Sequence, residues 1–405
     1  MTESTPVPPL DVPSIRAAFP ALAGGVAYFD GPGGSQVPYQ VAEAVAAALR
    51  SGISNRGTVT TAERRADSIV HDARRALGDL LGADPLGVVI GRSMTQLTYD
   101  LARTLAAGWT LGDEVVVSRL DHDANIRPWV HAARLAGATV RWAELDVATG
   151  ELPVEAVTSL LSERTRMVAV TGASNLLGTR PDTVAISDAA HAVGALVQVD
   201  GVHLTPHAPV DAPGTGADFF VCSPYKFFGP HLGVLAADPQ LLERLDPPRL
   251  LPQTDAVPER YELGTLPYEL LAGVSAAVDF IAELAAGSGS RRERLLASMA
   301  AVEAHEDELF GALLRGMAEI GGVRLYGHPA RRTPTALFTV GDRSPADVHQ
   351  RLADQAINVP GGSFYALEAA QRLGLGEAGG NRAGLAPYTS GDDVRRLVAA
   401  VAELV

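Results

Sequence analysis

Cysteine is almost absent from this chain, with one residue in 405. A single thiol excludes an intramolecular disulfide, a multi-cysteine metal centre and an iron–sulfur cluster. Basic charge is also in short supply: 33 Lys and Arg stand against 47 Asp and Glu, a formal net charge of −14. A polyphosphate backbone would be repelled, and the pairs Arg64–Arg65, Arg291–Arg292 and Arg331–Arg332 are too short to make a basic patch, so no nucleic-acid partner is expected. No stretch approaches the ~18 consecutive apolar residues of a membrane span. The opening MTESTPVPPLDVPSIR has no apolar run after a basic start, which gives the expectation of a cytoplasmic protein. Neither an HExxH motif nor a paired-histidine helix face occurs, so no metal is expected. There is no internal repeat and no low-complexity tract.

What remains is a chain that is 47% hydrophobic and long enough for two domains. Short apolar, β-branched runs alternate with segments of helical length. Strand signals fall at Leu86–Ile90, Glu114–Ser118, Ala138–Leu145, Met167–Thr171, the run ending at Asp200, Asp218–Ser223 and Leu232–Ala237. This alternation predicts a three-layer α/β/α domain around a mostly parallel sheet of seven strands. Only a short Gly/Pro-rich loop separates the last two strands, too little for a crossover helix, so one of them should run antiparallel. The AAGSGS segment at 285–290 punctuates the helical text. Beyond it lie a long helix, the strand-like VRLYG and TALFTV, and a final helix opening near Ser390. We expect a large domain over 20–290 and a smaller α/β domain over 291–405, the latter joined by the N-terminal segment 1–19.

Ligands of an open α/β sheet sit beyond the carboxyl ends of parallel strands, and four polar residues fall there: His122, Asn175, Asp200 and Lys226. An Asp closing an apolar strand wants a cation or N–H partner. A lysine within YKFFGP can be desolvated into a usable amine. Pyridoxal phosphate (PLP) needs this set: an amine for its aldehyde, an acid for its ring nitrogen, a group on its face and a phosphate cradle. GRSMTQ at 91–96 lies between a strand and a helix, where Ser93, Thr95 and free N–H groups suit an anion. The GLGEAG at 374–379 follows a helical segment and opens no second half-domain, so it does not signal a dinucleotide site.

In order along the chain come YFDGPGG (28–34), DHDANIRPW (121–129), SNLLGT (174–179), VDGVH (199–203), SPYKFFGP (223–230), YELGTLP (261–267) and NRAGLAPYTSGDDV (381–394). With these segments the sequence resembles the aminotransferase class V, or cysteine-desulfurase-like, family of fold-type I PLP enzymes. The resemblance implies the fold-type I architecture and roles for individual residues. Lys226 would carry the cofactor and shuttle the proton, Asp200 would pair with the pyridine nitrogen, and His122 would stack on the ring. Asn175 and His203 would approach the 3′-oxygen. Ser93, Met94 through its N–H, Thr95, Ser223 and Tyr225 would hold the phosphate. Gly264 and Thr265 match a loop that reaches the neighbouring subunit's phosphate, implying a homodimer with shared active sites. Arg382 matches the arginine that clamps a substrate α-carboxylate, and Arg56 a second substrate-side arginine near the subunit boundary.

Three departures limit the resemblance. Desulfurases carry a cysteine on a mobile loop, whereas the corresponding NVPGGSFYALEAA (358–370) has none. The sole thiol, Cys222, sits in a strand as a small hydrophobe. Tyr225 also stands where many desulfurases have histidine, and Gly172 replaces a polar residue. The expectation is therefore a PLP enzyme acting on a small α-amino acid by β-elimination (a C–S or other Cβ–X lyase) without persulfide chemistry. Aminotransfer and epimerisation are the alternatives, ahead of a true cysteine desulfurase or a non-catalytic PLP-binding protein. Phe364, Tyr365 and Tyr388 are candidates to line a side-chain pocket, with packing inside the small domain as the equal alternative.

Overall fold

The computed structural model describes residues 9–405. Its larger sheet contains β1 (Val88–Gly91), β2 (Glu114–Ser118), β3 (Thr139–Ala143), β4 (Thr165–Thr171), β5 (Leu196–Asp200), β6 (Phe219–Cys222) and β7 (Gly233–Ala237). The spatial order is β3-β2-β4-β5-β6-β7-β1. All pairings are parallel except those of β7, which runs antiparallel to both β6 and β1. The short connection that demanded an antiparallel strand thus does so at β7.

Alternation along each strand feeds two separate cores. Val116, Val168, Val170, Val197, Val199, Phe220 and Val234 pack on one face with Val70, Leu77, Val274 and Val278. These four belong to the helices Thr61–Leu81 and Tyr268–Ala282. Val115, Val117, Met167, Ala169, Phe219, Val221 and Leu235 face the other way, against Leu97, Leu101 and Trp129. The latter lie on the helices Met94–Ala106 and Arg127–Ala136. Sandwiching of this kind explains why the strands read as continuous apolar runs.

A second sheet is wholly antiparallel: β8 (Val323–Tyr326), β9 (Thr335–Val340), β10 (Gly361–Gly362) and β11 (Gly380–Gly384), ordered β10-β11-β9-β8. Its apolar side packs on the helices Arg291–Ala318 and Gly391–Ala402 through Leu313, Met317, Leu397 and Val401. The helix Arg291–Ala318 begins just after the 285–290 segment; its first half, with Leu295, Met299 and Val302, packs in the larger core, and only its second half joins this unit. Ser290 caps the long helix in a reciprocal box with Glu293, and Ser390 does the same with Asp393 for the last helix. Of the segment 1–19, residues 1–8 lie outside the described residues. Ala27–Tyr28 pairs with Ile357–Asn358, Phe29 enters the same core, and Arg16 binds Asp393 at 2.6 Å.

Element limits differ from the sequence reading in small, explicable ways. The helix expected from about 124 begins as a short 3-10 turn at Asp123–Asn125 and becomes α-helical at Arg127, where Pro128 occupies the first turn. Among the described residues no helix is long and apolar enough to cross a membrane, and no cluster of three or more His, Cys, Asp or Glu could hold a metal ion.

Candidate active site

The carboxyl ends of β1, β2, β4, β5 and β6 open on one cavity. Its inner part is lined by Ser93, Met94, Thr95, His122, Asn175, Asp200, His203, Ser223, Tyr225 and Lys226, together with Pro32, Ala124, Thr171, Ala173 and Val202. Ten sequence candidates are therefore brought together. The outer part, of about 540 Å³, shares Lys226, His122 and Asn175 with it and adds Tyr99, Asp123, Arg127, Phe364, Tyr365 and Arg382. Another cleft, of about 590 Å³, lies at the opposite end of the strands beside Asp84, His191, Asp218 and Arg244, and contains none of the candidates.

Ser93 caps the helix Met94–Ala106 by accepting from the Gln96 N–H at 3.1 Å. The remaining first-turn N–H groups have no partner within a helix and concentrate partial positive charge at this end. Gly233 on β7 permits the arrangement. A Cβ there would lie 2.1 Å from the Ser93 carbonyl carbon and 2.3 Å from the Met94 nitrogen.

The Lys226 ammonium donates to the Pro32 carbonyl, inside the glycine-rich YFDGPGG segment. Burial, with Arg382 nearby, pulls its pKa down to about 7, while Asp200 pulls the other way. Asp200 closes β5 and accepts from the Val202 N–H at 2.9 Å. Burial pushes its carboxyl up to about 6. Asp121 is buried beside it, bonded by Ser118 and by Asn125 at 2.6 Å. Desolvation raises this carboxyl to about 8, and the charge of Asp200 adds to the rise. Asn125 in turn accepts from Gln198, two residues before Asp200 on the same face of β5, at 2.7 Å. His122 accepts from the Ala124 N–H at 3.0 Å, and burial lowers its pKa to about 4, so its ring is neutral at pH 7.

Asn175 donates to the Phe364 carbonyl at 2.9 Å, and His203 Nε2 meets the Thr335 hydroxyl on β9 at 2.8 Å. Asn175 Oδ1 and His203 Nδ1 are buried without partners. Unmet polar atoms of this kind carry a free-energy penalty unless a ligand or water satisfies them. Between them they offer a donor and an acceptor to a polar ring substituent. Together with a buried amine, a buried carboxyl and a helix N-terminus, they fit PLP. Below His203, its ring meets His207 edge to face at 5.0 Å, and His207 binds buried Glu306 at 2.9 Å.

Arg382, only 2% exposed, donates to the Asn175 carbonyl at 2.8 Å and lies 3.9 Å over the Phe364 ring. Burial draws its pKa to about 9. Arg56 is not part of the cavity: it is engaged by Asp67 at 2.8 Å and Glu259 at 3.0 Å. Gly264 and Thr265 also lie elsewhere, exposed in the loop after Glu262. Tyr388 takes the packing role of its two candidate readings, 1% exposed among Phe19 and Phe228, its hydroxyl accepting from the Gln36 N–H at 3.2 Å. The Pro32 carbonyl, Thr335 and the Asp121 network escaped the sequence reading. For Pro32 the available signal was the glycine-rich GPGG itself.

Such a sheet, with a lysine and an aspartate at neighbouring strand ends, defines the class of PLP-dependent enzymes of fold type I. Residues 27–397 match the class-V aminotransferase family, and the chain belongs to it. It is 39% identical over 400 residues to an uncharacterised protein of Mycobacterium tuberculosis, covering 97% of this chain and 99% of that one. A probable cysteine desulfurase of Mycobacterium leprae is 32% identical over 423 residues, covering 97% and 96%. Among solved structures, a cysteine desulfurase from Escherichia coli superposes with a TM-score of 0.85 at 26% identity, covering 98% of this chain and 99% of that one. The protein is thus a PLP-dependent, cysteine-desulfurase-like enzyme.

Proposed function

We propose that the protein catalyses β-elimination from an α-amino acid bearing a leaving group on Cβ, without a persulfide on the enzyme. The observation that carries this reading is the separation of the only thiol from the site. Cys222 follows Val221 on β6 and so turns to the opposite face of the sheet, into the core with Val199 and Phe220. It is fully buried, and desolvation pushes its pKa upward, away from the thiolate form a nucleophile needs. The 358–370 segment contains no cysteine.

When bound, PLP supplies the electron sink that acidifies the Cα–H bond. Lys226 takes the proton from Cα, and a pKa near 7 suits an amine that must accept and return a proton at neutral pH. Asp200 holds a proton at the ring nitrogen. His122, kept neutral, covers the ring face without adding a charge. Arg382 receives the substrate α-carboxylate, since its fork is not occupied by a protein carboxylate and suits a bidentate partner. His203, Asn175, Ser93, Met94, Thr95, Ser223 and Tyr225 bind the cofactor's polar groups. A two-fold dimer belongs to the same reading, with Gly264 and Thr265 completing the partner's phosphate site and Arg56 near that boundary.

The test is product analysis with a panel of amino acids. Pyruvate plus ammonia from β-chloro-L-alanine is the expected result. An oxo-acid-reversible accumulation of pyridoxamine phosphate would mean aminotransfer. Cα deuterium exchange with loss of chirality would mean epimerisation. Alanine from L-cysteine with a persulfide on Cys222 would overturn the reading. Sedimentation showing a fully active monomer would remove the dimer from it.

A further inference from the structure

Phe364 and Tyr365 are adjacent residues with φ of +55° and +57°. Left-handed backbone is costly for a bulky residue, and two in succession persist only if the surroundings impose them. Here the Phe364 carbonyl accepts from Asn175 Nδ2 at 2.9 Å, and the Tyr365 carbonyl accepts from the Asp123 backbone N–H at 2.7 Å. Both anchors are themselves residues of the cavity wall. The result is that two consecutive aromatic rings line the same cavity. Phe364 lies under the Arg382 guanidinium, and the Tyr365 ring is 5.5 Å from the His122 ring. Tyr365 is largely exposed, which puts it at the mouth.

Lys226 and Arg382 on that wall are assigned above to the cofactor and the substrate α-carboxylate, and the other charges there pair with one another. Arg127 binds Asp123 at 2.8 Å and Glu368 at 2.6 Å. Once Lys226 and Arg382 are engaged, a charged substrate side chain would find no unpaired counter-ion there, whereas Tyr99, Phe364 and Tyr365 offer apolar ring surface. The space, about 540 Å³, is shared with the cofactor, and its Tyr99, Phe364 and Tyr365 side is left for a substrate side chain that extends toward the mouth. His122, neutral at pH 7, cannot serve as a strong acid to a departing group. A leaving group of low basicity is then favoured, and thiols, with a pKa of about 8.5, meet that condition far better than alcohols.

We propose that Phe364 and Tyr365 form a substrate side-chain pocket for cysteine thioethers that carry an aromatic or bulky apolar group on sulfur. The proposal rests on the elimination reading above. In the reaction the Cα proton passes to Lys226 and the Cβ–S bond breaks, with the electron pair leaving on sulfur. The thiolate takes up a proton, and the three-carbon remainder adds one water to give pyruvate and ammonia. No net oxidation or reduction occurs.

The holoenzyme is assayed for pyruvate and released thiol with S-benzyl-L-cysteine, S-methyl-L-cysteine and β-chloro-L-alanine. Filling an apolar pocket is worth roughly 10–200-fold per methylene-sized step, so kcat/KM for the benzyl thioether should exceed that for the methyl one by at least about tenfold. Tyr365→Gly and Tyr365→Asn both tolerate the left-handed backbone and remove the ring. Each should reduce kcat/KM for the benzyl thioether about tenfold more than that for β-chloro-L-alanine. Phe364→Leu, which keeps an apolar side chain if Tyr365 variants fold poorly, should show the same bias. Equal losses on both substrates, or pyruvate from β-chloro-L-alanine alone, would overturn the pocket and leave elimination standing. No pyruvate from any of the three, with the cofactor bound, would overturn both.

Discussion

Two arginines marked by the sequence for substrate sit in opposite electrostatic settings. Arg56 spends its guanidinium on Asp67 and Glu259, and Glu259 also binds buried Arg74 at 2.9 Å. Arg74 continues to Glu262 at 2.6 Å, whose other oxygen accepts from the Ile90 N–H at 2.9 Å. This web fastens the helix Thr61–Leu81 to β1 and to the loop leading to Gly264. Arg382, by contrast, is buried in the cavity wall with one bond to a carbonyl and an Nε that has no partner. The lesson is that burial alone does not identify a binding arginine. What distinguishes it is a buried charge that the protein leaves without a carboxylate, since that state is costly until an anion arrives.

The largest expected effect comes from the group Arg382 faces. Lys226→Ala should lower turnover by about 10⁴-fold, the upper range for a positioned proton-transfer group. Borohydride reduction followed by peptide mapping should no longer find the cofactor attached at residue 226. Retained attachment at another lysine would show that Lys226 was misassigned. Arg382→Ala should follow at roughly 10²-fold in kcat/KM, given about 1.5–3 kcal/mol for a hydrogen bond to a charged group. Arg382→Lys should recover little, because an ammonium cannot copy a bidentate fork. Near-complete rescue by lysine would mean that charge alone matters.

A smaller effect links the two residues through pH. Lys226 is depressed from 10.5 to about 7, first by burial and then by the charge of Arg382. The amine is protonated below that value and neutral above it. The apo-protein's rate of reaction with PLP, followed by absorbance, should therefore rise as pH increases through about 7. Arg382→Met should move that midpoint upward, since it removes a like charge. An unchanged midpoint would assign the depression to burial alone.

Much of this arrangement was legible because it depends on local pattern. Strand ends located His122, Asn175, Asp200 and Lys226, and the short loop before β7 gave its antiparallel direction. Ser390 announced its helix through capping chemistry that acts over three residues. Features formed by distant segments were not legible. Arg56 meets Glu259 across 203 residues and His207 meets Glu306 across 99, and nothing in either local sequence names the partner. The left-handed pair Phe364–Tyr365 was hidden for a different reason. Both residues favour extended backbone, and their conformation is imposed by Asn175 and Asp123 from other loops. For Tyr388 the sequence leaves pocket lining and packing equally open, because an aromatic residue near Arg382 in sequence need not face the same side in space.

Arg56→Ala tests the other half of the comparison. Removing a partly buried arginine from a network should cost about 1 kcal/mol of stability, read as a lower denaturant midpoint. Glu259 keeps Arg74, so the web should survive. If Arg56 serves the neighbouring subunit's substrate, KM should rise as well. A changed midpoint with unchanged KM would confine it to structure and break the proposed substrate role.

The smallest effect on catalysis is expected at Cys222. Its thiol contributes apolar volume between Val199, Phe220 and Val234, and its neighbour Val221, not Cys222, lies on the face shared with Asp200. Cys222→Ala removes only the sulfur, so roughly 1 kcal/mol of stability should be lost to the small void. Turnover with β-chloro-L-alanine should stay within about twofold of wild type, because no proton or bond in elimination passes through sulfur. L-cysteine provides the sharper contrast, since a persulfide route would need this thiol and an elimination route would not. If the variant still released pyruvate from L-cysteine at the wild-type rate, the chemistry would lie wholly with Lys226 and Arg382. If sulfur release from L-cysteine collapsed while β-chloro-L-alanine turnover held, the buried thiol would have to reach the cavity during turnover, and the separation of the two sheet faces would not describe the working enzyme.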